Sequence, residues 1–346
     1  MWRGRFGVAW PNIGVSSAHE PRGRRVVTKP ELTDDIKTRA AWLYYMEDMT
    51  QDQIAAELGL TRVRVLKLLL AARQSGMVQI RVTARLSHCV ELERAIEKKW
   101  GVERVIVIPK PLDTAKTSAL IGVTLGAYIA DQLTDNMTIG LGWGETLSAC
   151  LPALGAPSVT GVKIVSLLGG LSKVSAYNPS EFAWRFADKI GAECYLMAAP
   201  IFAPTKAIRD GLMDHPGIQE VCQRAEHLDL AIVSVGHLGP GSTLSGFEIL
   251  DRPSLDAIQH AGAVGDLFCR FIDAEGQPID HPINERVIAV DNTLVRNARC
   301  TVLASGGKQK ASGVAAALKA LSPKVLITDE TVAEYLMASA SPVSVA

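Results

Sequence analysis

Residues 51–70 read QDQIAAELGLTRVRVLKLLL, two short helical patterns around one glycine. Ala55, Gly59 and Val65 fall at the fifth, ninth and fifteenth positions of this stretch. Two helices that cross steeply need a small residue where they touch and a glycine where the chain turns with positive φ. They also need an apolar residue on the second helix that faces the first. Ile54, Leu58, Leu60, Leu68 and Leu69 supply the buried faces. Thr50 with Gln53 three residues on forms a capping box. Thr61 caps the second helix and Gly76 closes it. The spacing predicts a helix-turn-helix.

The exposed face of the second helix carries the chemistry. Arg62, Val63 and Arg64 fall in its first turn, the part that points into a major groove in this geometry. An arginine there bonds guanine O6 and N7, worth about 1–3 kcal/mol of discrimination per bidentate contact. Lys67, Arg73 and Arg81 suit phosphates, as do the helix-start amides capped by Thr61. Gln51, at the start of the first helix, completes the candidate DNA-binding set. A merely solvated basic face would need none of the caps, the turn glycine or the small residue.

Outward from this stretch, charge and texture divide the chain. Over all 346 residues, Lys+Arg and Asp+Glu are both 36. Residues 1–85 nevertheless carry 14 basic against 8 acidic side chains, a basic end on an acidic body. The length suits two domains. The expected organisation is a variable extension over 1–30, a DNA-binding domain over 31–85 and an effector and oligomerisation domain over 86–340. A strand is expected at 77–82. Beyond it, apolar β-rich runs at 105–108, 138–141, 162–168, 194–198, 230–235, 287–290, 300–304 and 325–328 alternate with helical stretches. That alternation predicts an α/β body with a doubly wound, mostly parallel sheet.

The composition also excludes function classes. The longest stretch without Asp, Glu, Lys or Arg, 230–247, contains four glycines and Pro240, which rules it out as a spanning helix. The six cysteines are scattered, as expected of free thiols in a reducing cytoplasm. No histidine pair has metal-ligand spacing, so neither metal nor cofactor is expected.

Three glycine-rich turns follow expected strands. Residues 140–146 read GLGWGET and lead from a strand into a helix, where exposed amides favour an anion. Gly169 and Gly170 end the next strand. Ser305, Gly306, Gly307 and Lys308 follow the 300–304 run. In an open parallel sheet ligands bind beyond the strand carboxyl ends, so these turns are expected to border one crevice. Each glycine also suits a plain tight turn, and Lys308 a solvated first-turn position.

With these segments in order, the chain resembles the SorC-type family of sugar-responsive bacterial transcriptional regulators over about residues 32–338. Gly265-Asp266-Leu267, Phe271-Ile272-Asp273 with Gly276, and residues 326–330 (LITDE) carry the resemblance further. It implies an effector domain similar to ribose-phosphate isomerase and glucosamine-phosphate deaminase sheets, without catalysis. It also implies a dimer or tetramer that binds operator DNA and responds to a sugar, polyol or sugar phosphate. Residues around 40–45 look most like members that control sugar-alcohol genes. Carried over residue by residue, the effector site comprises Gly142, Gly144, Glu145, Thr146, Gly169, Gly170, Asn178, Asp266 and Lys308. Amides at 144–146, the Thr146 hydroxyl and Lys308 would hold phosphate, while Asn178 and Asp266 would pair hydroxyls. Asn178 equally suits an N-cap before Pro179. One departure stands out: the residue before Gly169 is Leu168, where the family can carry a base. A leucine neutralises no phosphate. The alternative function is an active sugar-phosphate isomerase or deaminase with a DNA-binding appendage, for which Asp266 and Glu145 are the candidate acids.

Overall fold

The computed structural model describes residues 29–78, 86–155, 158–173, 177–239, 241–246 and 249–339. Residues 1–28 of the extension expected over 1–30, Arg81 and most of the strand expected at 77–82 lie outside these. The chain divides into two compact units, Met1–Ala72 and Arg73–Ala346.

In the first unit, α1 (Lys29–Tyr45), α2 (Gln51–Leu58) and α3 (Arg62–Gln74) follow one another. The Thr50 capping box is complete: Gln53 N donates to Thr50 Oγ1 at 3.3 Å, and Thr50 N to Gln53 Oε1 at 2.8 Å. Such a cap is worth about 1 kcal/mol. Gly59 ends α2 at φ 64°, and Leu60 N donates back to Ala55 O at 2.8 Å. A side chain at Gly59 would sit in the left-handed region that L residues avoid. Arg64 N donates to Thr61 Oγ1 at 3.3 Å, starting α3. Ile54, Ala55, Val65, Leu68, Leu69 and Ala72 are buried with Ala40 and Leu43 of α1.

The second unit begins with α4 (Ser87–Trp100), β1 (Arg104–Ile108), α5 (Thr117–Gln132), β2 (Thr138–Leu141) and α6 (Glu145–Ser148). Next come β3 (Lys163–Gly170), α7 (Pro179–Ile190), β4 (Glu193–Pro200), α8 (Lys206–Met213), α9 (Pro216–Ala225) and β5 (Leu230–Val233). After α10 (Thr243–Gly246) and α11 (Arg252–His260), a hairpin of β6 (Gly265–Leu267) and β7 (Arg270–Ile272) precedes α12 (Asn292–Arg296). The chain closes with β8 (Thr301–Ala304), α13 (Ala311–Leu321), β9 (Val325–Asp329) and α14 (Glu330–Ala338).

Seven strands form one parallel sheet in the order β1-β9-β8-β5-β2-β3-β4. Side chains alternate between two cores. Ala231, Val233, Leu303 and Leu326 pack on one face with α4, α13 and α14. Leu230, Ile232, Val302 and Ile327 pack on the other with α5 and α7. Burial on both faces explains why the strands read as continuous apolar runs.

The chain leaves β2 toward β3 and β4 on one side, then returns to lay β5 on the other side of β2. The switch in strand order therefore lies between β2 and β5. At one sheet edge, the outward amides of β1 are already occupied. Val105 N donates to Glu97 Oε1 and Val107 N to Glu93 Oε1, both at 2.9 Å, from α4.

Two details depart from expectation. Residues 287–290 form isolated antiparallel bridges, Leu168 to Ala289 and Phe202 to Val287, instead of a strand of the main sheet. They wedge between the end of β3 and the 201–203 segment, so a bridge forms on each side without a continuous ladder. The β6–β7 hairpin has three-residue arms and turns through Phe268 and Cys269, both at positive φ (52° and 63°). Such a turn usually recruits glycine or asparagine, so nothing in the sequence signals it.

Candidate functional site

The basic face of α3 is open. Arg62, Arg64, Lys67 and Arg73 are exposed, as is Thr61, while Gln51 is half-buried. Val63 is 63% exposed in the first turn between two arginines. Arg62 Nη1 lies 3.8 Å from Asp52 Oδ2, but both side chains are solvated, so the pair holds the arginine only weakly. Leu66 and Leu70 are also exposed on α3, a feature the motif alone does not require.

A cavity of about 80 Å³ opens where the strand order switches. Trp143, Gly144 and Glu145 line it from the turn after β2, and Ser234, Gly236 and His237 from the turn after β5. Asp266 of β6, Ser118 of α5, Thr243 of α10, and Gln309 with Lys310 after β8 complete much of the wall. This is where an open α/β sheet gathers ligands.

Two groups dominate its electrostatics. The buried Asp266 carboxylate accepts Cys269 N at 3.0 Å across the hairpin turn. Burial pushes its carboxyl up to about 6, against the opposing pull of the Cys269 amide and Lys310. Burial likewise holds the Lys310 ammonium below its ordinary range, while Glu145 and Asp266 act in the opposite direction. No hydrogen bond or ion pair holds that ammonium among the described residues. A desolvated lysine costs stability unless a partner supplies hydrogen bonds. Gly236 exchanges backbone hydrogen bonds with Asp266, and a Cβ at Gly236 would collide with the Asp266 Oδ1. Glycine there lets the carboxylate reach the cavity.

Of the residues expected from the sequence, Gly144, Glu145 and Asp266 meet in this cavity. Thr146 follows in α6, buried, and its Oγ1 has no hydrogen-bond partner among the described residues. Gly142 lies behind the wall, its amide donating to Ile232 O at 2.9 Å and its Cα packing against Phe268.

The others stand elsewhere. Gly169 donates to Ile288 O at 2.9 Å and presses against the carbonyls of Ala199 and Pro200, and Gly170 against the Ser180 hydroxyl. Asn178 caps α7: its Oδ1 accepts Ser180 N at 3.1 Å, and its Nδ2 donates to Leu171 O at 2.7 Å and Lys173 O at 3.0 Å. These bonds occupy the groups a sugar hydroxyl would need. Lys308 is exposed and outside the cavity wall.

Lys310 is the cation that sequence reasoning missed. The expected helix does not begin at Lys308. A 3₁₀ turn, Lys308–Lys310, intervenes, closed by Lys310 N donating to Gly307 O at 2.9 Å. Three residues per turn carry position 310, not 308, back over the glycine. The signal available was the Gly307-to-Lys310 spacing ahead of the apolar helix.

A family profile described as "Putative sugar-binding domain" matches residues 84–338. The chain is 29% identical over 309 residues to the erythritol catabolism regulatory protein EryD of Brucella abortus, covering 89% of this chain and 98% of that one. It is 27% identical over 313 residues to the transcriptional regulator LsrR of an Enterobacter species, covering 89% and 94%. The crystal structure of the full-length sorbitol operon regulator SorC from Klebsiella pneumoniae superposes with a TM-score of 0.65 at 27% identity, covering 88% of this chain and 99% of that one. This chain belongs to the SorC-type family of sugar-binding transcriptional regulators. Every residue lining the cavity of this SorC-type regulator lies inside the matched sugar-binding region. The α2–α3 unit precedes that region in the chain. Among the described residues, no helix is long and apolar enough to cross a membrane.

Proposed function

We propose that this SorC-type regulator reads operator DNA with α3, and that a polyol or sugar in the strand-end cavity controls that reading. The observation that carries the sensor half is Lys310, half-buried in the cavity with Asp266 and Glu145 and without a hydrogen bond among the described residues. A hydroxylated ligand supplies acceptors to the ammonium and donors to the carboxylates. Two carboxylates against one ammonium suit hydroxyls better than a phosphate dianion, in keeping with Leu168 near the end of β3. The name of EryD links that relative to erythritol, which makes four-carbon polyols the first probes here.

The DNA-reading domain spans 31–85 and the sensor 86–340. Arg64 and Arg62 read base edges, Val63 sits among them, and Lys67, Arg73, Gln51 and the amides at Thr61 grip phosphates. Trp42 (52% exposed) on α1 and Met46 (65%) just past its end, joined by Met46 N donating to Trp42 O, form an apolar pair that suits contact between copies in a dimer or tetramer. The cavity works as a sensor without turnover, in a reducing cytoplasm.

Melting the full chain against polyols, sugars and their phosphates tests the reading. A true ligand at 100 times its dissociation constant stabilises by about 2.7 kcal/mol. A panel with no such shift overturns the sensor, and product formed from pentose or hexosamine phosphates overturns the absence of catalysis.

A further inference from the structure

Away from the cavity, three ligating side chains from distant parts of the sequence converge on one point. His88 stands in the first turn of α4, and Glu330 and Glu334 stand one turn apart at the start of α14. His88 Nε2 lies 3.5 Å from Glu330 Oε1 and 4.0 Å from Glu334 Oε1, and the three ligand atoms all lie within 4.8 Å of one another. We propose that His88, Glu330 and Glu334 form a binding site for a first-row divalent metal ion of the Zn2+ type, joining the N-terminal ends of α4 and α14.

The spacing favours a shared ion over a plain ion pair. Charge-assisted hydrogen bonds close to about 2.7–2.9 Å, and neither His88 contact does. Ligand atoms about 2.0–2.2 Å from a tetrahedral ion lie roughly 3.3–3.6 Å apart. The His88–Glu330 separation is already of that size, and the exposed Glu334 needs only a small rotation. The two glutamates, four residues apart on one helix, repel each other by a few tenths of a kcal/mol until a cation intervenes. Glu330 is also pre-set: its other oxygen, Oε2, accepts the Lys110 backbone amide at 3.1 Å, which turns Oε1 toward His88. Outer hydrogen bonds of this kind orient metal ligands.

The helices that carry the ligands are fixed. Trp100 Nε1 donates to Leu336 O at 3.2 Å, and Lys99 Nζ donates to Met337 O at 2.6 Å and Ser339 O at 2.5 Å. Ile96 and Cys89 of α4 share a core with Val332 and Leu336 of α14. The two helices therefore run side by side in the same direction, clamped at their C-terminal ends and open to an ion at their N-terminal ends. One imidazole and two carboxylates, with room for water, suit Zn2+ and its neighbours better than Ca2+, which takes six to eight oxygens.

Titrating chelator-treated full-length protein with Zn2+, and with Co2+ followed by visible absorption, tests the site. The expected result is one saturable ion per chain with the intense bands of four-coordinate Co2+. Affinity should fall at least tenfold in both Glu334→Gln and His88→Ala. The Glu334→Gln change is isosteric at an exposed position, and a melting curve of each metal-free variant verifies its fold. No saturable binding overturns the site, as does a loss below tenfold in either folded variant. A thiolate-to-Co2+ charge-transfer band, which would put the ion on a cysteine, overturns it as well.

Discussion

The cations of α3 and the cation of the strand-end cavity stand in opposite environments. Arg62, Arg64 and Lys67 are exposed and cost the fold little. Lys310 is half-buried in the same cavity as the carboxylates of Asp266 and Glu145, with no hydrogen bond among the described residues. Exposed cations recruit a polyanion through many weak, salt-screened contacts, and they need no fixed geometry before the partner arrives. A half-buried cation is the reverse: the fold bears its partial desolvation continuously, and a matching ligand relieves it. DNA affinity should fall steeply with salt, whereas effector affinity should be nearly flat.

The largest expected effect tests whether the cavity is costly to the fold. Asp266 has a native pKa of about 6 against an ordinary value of 3.8. A carboxyl whose pKa is raised on folding gives its full stability below the unfolded value and loses it as pH rises through the folded one. Asp266→Asn, which can still accept Cys269 N, should therefore be more stable than the parent by about 3 kcal/mol at pH 8. The advantage should shrink to roughly half by pH 5 and vanish well below pH 4. Urea unfolding across pH measures it. A pH-independent difference would mean that the carboxylate is not desolvated as described.

Next in size is the contrast between two lysines. Lys310→Met should lose about 1.5–3 kcal/mol of effector affinity, roughly ten- to a hundredfold, by calorimetry with the polyol or sugar that shifts melting most. Lys308→Met should change it by less than about threefold, since an exposed lysine outside the cavity has little to lose. Equal losses would break the comparison within one turn of chain.

Arg64→Ala should cost about 1–3 kcal/mol on a selected operator and much less on random DNA. Lys67→Ala should weaken both alike and lower the salt slope by about one. Binding titrations at several salt concentrations separate the two. Parallel losses for Arg64→Ala would show that another side chain faces the base edges.

Smallest is Asn178→Ala. With its amide committed to Ser180, Leu171 and Lys173, the change should cost about 1–2 kcal/mol of stability and leave effector affinity unchanged. A selective loss of affinity in a stable protein would return Asn178 to the ligand site.

The two regions were also unequally legible. The α2–α3 unit is local: Thr50, Gln53, Gly59 and Thr61 act on residues within a few positions, so spacing alone predicts the caps and the turn. The parallel sheet was legible through its apolar runs, because burial on both faces leaves a continuous signature. The cavity is assembled from turns after β2, β5 and β8 together with β6. Gly144, Glu145 and Asp266 could be picked out, but their meeting is a tertiary fact. Lys310 was hidden by one 3₁₀ turn that shifts the direction of a lysine by two positions. Gly169 and Gly170 read the same whether their amides face a ligand or a neighbouring strand presses on them. The β6–β7 hairpin left no trace, because packing holds Phe268 and Cys269 at positive φ where local chemistry would choose glycine.

The two glutamates of α4 that occupy the outward amides of β1 bear on how the chain is made. In the finished sheet Val105 pairs with Leu326, so the sheet's first strand in chain order has as its neighbour the sheet's last. At ordinary translation rates β1 waits on the order of 10–40 s for β9 to emerge. Through that interval its amides would invite any passing strand. Glu93 and Glu97 precede β1 in the chain, so the nascent polypeptide carries its own stopper for one rim from the start. The rim left for β9 is then the one side on which β1 can grow, and the order of synthesis becomes a guard against the wrong neighbour.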